Sequence, residues 1–213
     1  MKRALLLGSL SLILGFGSFS SASADTITFN LTQDGCTGTC GTAPFGTVTL
    51  TDNATGGVDV TVALTAGENF VGTGAGKALE FNLTPLNTAN PPAITITGLT
   101  SGFAVGPSPA TASTFGSFMY SITCTVCQGG NGPVGPLTFT VAGVDEDQFI
   151  ANASGYFFSS DVMGTTGNTG NVAAIGASAP PPPPPAVPEP SSLVLFGTGL
   201  TAVGGLIRRR MAV

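Results

Sequence analysis

The sequence predicts an all-β fold, an antiparallel β-sandwich, set between two terminal segments of a different character. Short runs in the middle of the chain alternate strictly between apolar and polar residues, as in 26–32 and 58–64. Period-two alternation is typical of strands with one buried and one wet face. Breaks rich in glycine, asparagine and proline separate the runs, and no helical periodicity lies between the two ends. These observations predict about seven to nine strands in two layers. A β-helix or other solenoid is the rival, and the lack of a fixed repeat of about 20 to 50 residues counts against it.

The first 24 residues have the three parts of a secretory signal peptide. Lys2 and Arg3 precede an uncharged apolar run, and Ala22-Ser23-Ala24 supplies the small-residue cleavage pattern. Cleavage there predicts a mature protein that begins near Asp25. A retained N-terminal helix is the alternative, and the glycines that interrupt the apolar run count against it.

The last 27 residues have the parts of a membrane-delivery segment. Val187-Pro188-Glu189-Pro190 precedes the uncharged run 193–207, and Arg208-Arg209-Arg210 follows it. As a helix the run spans roughly 22 Å, short against a hydrocarbon core of about 30 Å, but snorkelling and local thinning close such a gap. The sequence therefore predicts a single transmembrane helix, and the arginines place its C-terminal end in the cytoplasm.

This order of Pro-Glu-Pro, short apolar helix and basic tail resembles the PEP-CTERM sorting signal of Gram-negative bacteria. The resemblance covers residues 187–213, about an eighth of the chain, and it implies an address rather than an activity. It implies transient anchoring in the inner membrane, then cleavage near Pro-Glu-Pro by an exosortase, a membrane transpeptidase-like enzyme. Delivery to the cell surface or the extracellular matrix follows. An ordinary, retained C-terminal anchor is the alternative, because physical chemistry alone does not distinguish a cleaved anchor from a retained one.

Composition divides the exported part of the chain further. Residues 25–162 are predicted to form the β-sandwich ectodomain, and residues 163–186 a linker, first rich in glycine and alanine and then in proline. The unbroken proline run 180–185 predicts a polyproline II spacer of about 3 Å per residue. We expect this spacer to hold the domain off the membrane and to present Pro-Glu-Pro to the processing enzyme.

Charge excludes several classes of function. Between residues 25 and 186 a single basic residue, Lys77, stands against ten carboxylates, a net charge of −9. No basic patch exists to displace counterions from phosphates, so nucleic-acid binding and adhesion to anionic lipid are disfavoured. The chain contains no histidine, which excludes Ser-His-Asp and Cys-His catalysis and histidine-ligated metals.

The four cysteines form two close pairs, Cys36-x3-Cys40 and Cys124-x2-Cys127. In an exported chain such pairs predict disulfides, and of the three possible connectivities the local one is favoured. A zinc site with four cysteine ligands and a redox-active CxxC are the alternatives.

Two sets of acidic residues are candidate sites. Asp145-Glu146-Asp147 predicts a solvated loop, with a Ca²⁺ site as the alternative. Glu68, Glu80 and Asp145 are the candidate carboxylates for glycoside hydrolysis, which needs two of them at a defined separation; we expect no such pair.

These observations predict a non-enzymatic structural protein of the cell surface, biofilm or exopolysaccharide matrix, without a cofactor or a bound metal. The alternative is a carbohydrate- or Ca²⁺-binding adhesion module. Its stacking surfaces would come from the aromatic residues, although core packing is expected for most of them. These residues are Phe103, Phe115, Tyr156, Phe157 and Phe158.

Overall fold

A computed structural model of the chain describes residues 25–74, 76–127 and 132–178. The described residues contain fourteen strands and one short 3₁₀ helix, Glu146–Gln148. The strands are β1 (Thr26–Leu31), β2 (Gln33–Cys36), β3 (Gly46–Asn53), β4 (Gly57–Leu64), β5 (Asn69–Phe70), β6 (Leu79–Phe81), β7 (Thr95–Thr97), β8 (Phe103–Val105), β9 (Ala110–Ala112), β10 (Gly116–Phe118), β11 (Tyr120–Cys124), β12 (Leu137–Ala142), β13 (Phe158–Met163) and β14 (Thr169–Ala174). The number exceeds the predicted seven to nine because several strands have only two or three residues, too few for a visible alternation.

Two antiparallel sheets stack as a β-sandwich, which confirms the predicted fold class; the solenoid alternative is wrong. The five-stranded sheet has the order β1-β3-β4-β12-β7. The seven-stranded sheet has the order β2-β14-β13-β6-β11-β8, and β5 pairs with β13 beside this path. The hairpin β9–β10 forms a separate two-stranded sheet.

The alternating residues place one face of each sheet in the core between the sheets. On β3 and β4 the valines and Leu50 are buried while threonines point outward. Phe81 of the seven-stranded sheet contacts Phe139 of the five-stranded sheet, with ring centroids 6.0 Å apart, and Tyr120 at 5.4 Å. Burial of each such side chain stabilises the fold by about 1.5–3 kcal/mol.

One extended segment joins the two sheets at the start of the domain. Thr32 alone separates β1 from β2, and its N–H donates to the carbonyl of Ala173 on β14 at 2.9 Å. The chain therefore pairs first with β3 in one sheet and then with β14 in the other, as strands do at the corner of a sandwich.

The predicted domain boundary at residue 162 is wrong, because β14 and the residues after it belong to the sandwich. Composition rich in glycine and alanine suggested a linker, but here small residues permit close packing. A Cβ on Gly170 would lie 2.6 Å from the Cα of Cys36. The Ser178 N–H donates to the Thr28 carbonyl at 2.6 Å, so the compact unit extends to Ser178.

The predicted signal peptide (1–24), the remainder of the predicted linker (179–186) and the predicted transmembrane segment (187–213) lie outside the described residues. In the part of the chain that the structure describes, no helix has the length and hydrophobicity to cross a membrane.

Candidate functional sites

The first cysteine pair forms a disulfide around an anchored carboxylate. Cys36 at the end of β2 is bonded to Cys40. The Asp34 carboxylate accepts hydrogen bonds from the Cys36 N–H and the Cys40 N–H, both at 3.0 Å, and from the Thr39 hydroxyl at 2.7 Å. Partial burial opposes ionisation of Asp34, but these three bonds outweigh it and lower its pKa. The loop is thus a closed structural unit.

The second pair, Cys124–Cys127, forms a disulfide at the end of β11. Both bridges are local, as predicted, and all four sulfurs are used in them. Asp34, Cys36 and Cys40 are the one group of three potential metal ligands in the described ranges, but two of its sulfurs are oxidised. The zinc alternative is therefore wrong for this structure, since zinc ligation requires thiolates. A redox-active CxxC is a disulfide in its oxidised state, so the redox alternative stays a hypothesis.

The acidic segment 145–147 begins the short 3₁₀ helix instead of encircling a cation. Its carboxylates do not bring three oxygens within 4.8 Å of one another. The Glu146 N–H donates to Asp52 Oδ1 at 3.1 Å. A hydrogen bond shared with the Asp52 carboxyl, together with partial burial, raises the pKa of Glu146. The segment fastens the loop to the end of β3.

Two of the candidate catalytic carboxylates are inaccessible. Glu68 is 1% exposed and Glu80 is fully buried, so neither flanks a surface cleft. Burial raises the pKa of Glu80 to about 8, and the neighbouring Ser159 hydroxyl and Lys77 ammonium only partly offset this. Burial and the nearby Asp34 charge raise the pKa of Glu68 to about 7. Both oxygens of Glu80 lack a hydrogen-bond partner among the described residues.

A further buried carboxylate, Asp161, was not among the sequence candidates. It lies on β13, and its oxygens accept hydrogen bonds from the N–H and the hydroxyl of Thr73. The Asp161 N–H donates to the Lys77 carbonyl at 2.8 Å. Burial raises the pKa of Asp161 although the bonds from Thr73 oppose the shift. In the sequence Asp161 follows Ser159 and Ser160 in a segment without apolar-polar alternation, so the pattern indicates neither the strand nor the neighbour that binds the carboxylate.

The aromatic candidates are mostly core residues. Phe103, Phe115 and Phe158 are at most 8% exposed, while Tyr156 and Phe157 are half-buried. Phe157 packs against Phe29 with centroids 5.1 Å apart. These side chains do not form an open stacking platform.

The outer face of the five-stranded sheet carries a regular array of hydroxyl groups. Strand register places its polar residues in rows across the strands. Neighbours within a row are about 4.8 Å apart, and successive rows about 6.6 Å. One row contains Thr28, Thr49, Thr61 and Thr138, and the next contains Thr26, Thr51, Asp59, Thr140 and Thr97.

A β-bulge opens a cleft in this array. Thr97 of β7 pairs with Thr140 of β12, and beyond β7 the Thr100 N–H donates to the Thr138 carbonyl at 3.0 Å. Three residues along the first segment thus match two along β12, so one extra residue lies between Thr97 and Thr100. Gly98 lies in the bulge with φ +63°, the left-handed conformation typical of glycine in bulges. The cleft beside it has a volume of about 320 Å³.

Hydroxyls and one carboxylate line the cleft, and the main chain forms its floor. The side chains of Val60 and Phe139 are buried on the opposite face. Asp59 Oδ1 accepts hydrogen bonds from the Thr140 hydroxyl at 2.7 Å and from Asn53 Nδ2 at 2.9 Å. Its Oδ2 accepts none from the described residues. The cleft therefore offers donors and acceptors to a polar ligand. The apolar-polar alternation of the sequence predicted these strands, but it did not indicate the bulge that opens the cleft.

The sorting residues Val187 to Pro190 and Arg208 to Arg210, like the cleavage residues Ala22 and Ala24, lie outside the described residues. Asp25 is the first described residue, directly before β1, and it is exposed. Its carbonyl accepts a hydrogen bond from the Asp52 N–H at 3.1 Å.

Comparison with known families finds a PEP-CTERM protein-sorting motif at residues 186–210. Such a motif implies export and sorting by an exosortase. This confirms the family resemblance drawn from the Pro-Glu-Pro, the apolar run and the basic tail. No curated protein and no solved structure matches the chain.

Proposed function

We propose that this chain is a structural protein of the cell surface or the exopolysaccharide matrix of a Gram-negative bacterium. The sorting motif at residues 186–210 carries the proposal, since it implies export and processing by an exosortase. The signal-peptide pattern before Asp25 and the two disulfides fit an oxidising, extracellular location. The net charge of −9 between residues 25 and 186 favours solubility in a hydrated matrix.

We further propose that the domain is not an enzyme. The sequence has no histidine, and the carboxylates Glu68 and Glu80 are buried away from solvent. General acid–base work by a carboxylate pair needs both groups at the substrate. The cleft of the five-stranded sheet offers threonine hydroxyls and one carboxylate, that of Asp59, and not the pair of carboxylates that this chemistry uses.

Mass spectrometry of the protein recovered from the host cell surface tests this function. We expect an N-terminus near Asp25 and loss of everything after about Pro190. A variant in which Pro188, Glu189 and Pro190 are all alanine is expected to remain full-length at its C-terminus and in the membrane. The Pro182→Ala variant, which changes the spacer alone, is the matched control and is expected to be processed normally.

Detection of the peptide 208–213 on the mature surface form, or of the unprocessed protein in the cytosol, would overturn the proposal. The same holds if processing is unchanged in a host strain without its exosortase.

A further inference from the structure

We propose that the cleft beside Gly98 binds a neutral polysaccharide through the hydroxyls of Thr61, Thr138 and Thr140 and the carboxylate of Asp59. The inference deepens the proposed function, on which it rests, because a matrix location supplies the polymer. Sugar hydroxyls are both donors and acceptors. Among the threonine hydroxyls that line the cleft, that of Thr61 has no hydrogen-bond partner in the described residues, that of Thr138 bonds to the Thr100 hydroxyl at 2.9 Å, and that of Thr140 donates to Asp59 and still accepts. Asp59 adds an acceptor whose Oδ1 is already oriented by Thr140.

The chemistry of the lining selects against other ligands. An apolar ligand finds no apolar side chain, since those of Val60 and Phe139 point into the core. A cation finds a single carboxylate, that of Asp59, whereas Ca²⁺ takes six to eight oxygens.

Charge decides between neutral and acidic polymers. Asp59 lies in the cleft, and the carboxyl groups of Asp52 and Glu146 share a hydrogen bond at the nearby end of β3. The exported part has one lysine against ten carboxylates. An anionic polysaccharide would therefore meet like charge without compensation, which costs affinity and slows association. A neutral chain meets no such penalty.

The extent of the array favours a polymer over a small sugar. The hydroxyl rows continue from the cleft across β4 and β3 to β1. Five strands spaced about 4.8 Å apart span roughly 19 Å from first to last. Because individual hydrogen bonds contribute little net affinity in water, a ligand that engages several positions of the array at once gains by multivalency.

Binding of the full-length chain to immobilised polysaccharides tests the inference. The chain is purified in a detergent without a sugar headgroup, and surface plasmon resonance is recorded on dextran, hydroxyethyl cellulose, the neutral fraction of the host's exopolysaccharide, and alginate as the anionic polymer. We expect saturable binding to at least one neutral polymer and weaker binding to alginate.

Paired substitutions separate the hydroxyls from the shape of the cleft. The T61V/T140V variant keeps the β-branched side chains but lacks both hydroxyls. We expect it to bind at least about tenfold more weakly than the wild type, as for the loss of two hydrogen bonds. The T61S/T140S variant restores the hydroxyls, so we expect its affinity to lie within about twofold of the wild-type affinity. That difference is smaller than the net contribution of one hydrogen bond to the binding free energy. T84V/T111V, at two exposed threonines outside the five-stranded sheet, is the control and is expected to bind normally.

Three results would each overturn the inference: no binding to any neutral polymer, equal binding by T61V/T140V, or tighter binding to alginate. Failure of the proposed function is seen separately, in the surface fraction. A wild-type protein that reaches the surface but binds no neutral polymer refutes the cleft alone, whereas one that is not exported refutes the function whatever it binds in vitro.

Discussion

Each sheet of this sandwich has one face turned away from the core between the sheets, and the two outward faces differ in how far they are exposed to solvent. On the five-stranded sheet most of the outward residues are threonines, with Asp59 among them, and these are exposed or half-buried. On the seven-stranded sheet the outward residues include Glu80, Ser159 and Asp161, and all three are fully buried. The hairpin β9–β10 contributes to this cover, since Phe118 packs with Ala173 in a second small core.

The difference shows that an outer face becomes a recognition surface or a structural layer according to what covers it. Under cover, a carboxylate needs a hydrogen-bonding partner or must take up a proton. Asp161 receives bonds from Thr73, whereas burial raises the pKa of Glu80 so that its neutral form is favoured. On the open face the hydroxyls form hydrogen bonds with water, and a ligand can displace that water.

Truncation of Phe118, in the hairpin β9–β10 that covers the seven-stranded sheet, should have the largest effect on stability. Phe118 is fully buried, so Phe118→Ala should lower the free energy of unfolding by about 3–5 kcal/mol, as for other buried phenylalanines. Urea denaturation of the full chain measures the change. The matched control is Ser117→Ala on the exposed side of the same strand, which should change stability by less than about 0.5 kcal/mol. Equal effects of the two variants would show that the hairpin does not protect the sheet.

The covered face should also make stability fall as pH rises. Glu80 has its pKa raised from 4.5 to about 8 in the folded protein, so between these values the folded state holds a proton that the unfolded state has lost. The stabilisation is complete below about pH 4.5 and is lost as pH rises through about 8, on the order of a few kcal/mol. Urea denaturation from pH 4.5 to 9 measures it.

Two variants test whether Glu80 causes this fall of stability with pH. Glu80→Gln is neutral at every pH and should make the profile shallower. The remaining slope comes from the other carboxyl groups whose pKa is raised in the folded protein, which are Glu68, with a pKa of about 7, Asp161 and Glu146. Asp147→Asn, on the exposed loop, should leave the profile as in the wild type. A wild-type stability that does not fall over this range would contradict the burial of Glu80 in its neutral form.

The sequence predicted what depends on local pattern and missed what depends on neighbours. Alternation of valine and threonine in β3 and β4 predicted both strands and their inward faces, and spacing predicted the local disulfides. The boundary at residue 162 was wrong because glycine and alanine are common both in linkers and in closely packed strands such as β14. The cleft could not be predicted, since it depends on the one-residue bulge at Gly98 and on the register of β7 with β12.

Replacement of Asp161 should lower the free energy of unfolding by less than replacement of Phe118 in the covering hairpin. Asp161→Ala leaves the Thr73 N–H and hydroxyl without their acceptor, and a loss of about 1–3 kcal/mol is expected. Asp161→Asn keeps one carbonyl oxygen as an acceptor and should cost less than the alanine variant. Urea denaturation at pH 7 compares the two. If the two variants lose the same stability, the hydrogen bonds from Thr73 are not what holds this carboxylate.

The smallest effects are expected from single hydroxyls, and they compare the two faces directly. Ser159 accepts a hydrogen bond from Asn171 Nδ2 at 3.1 Å under the cover, so Ser159→Ala leaves a buried donor unpaired and should cost about 1–2 kcal/mol. Thr49 is half-buried on the open face, 3.5 Å from the Thr28 hydroxyl, and Thr49→Val should change stability by less than about 0.5 kcal/mol because water replaces the lost contact. Urea denaturation of both variants at one pH tests the contrast. A loss at Thr49 as large as that at Ser159 would mean that the threonine array is part of what stabilises the fold, and its hydroxyls would then be less free to exchange water for a ligand.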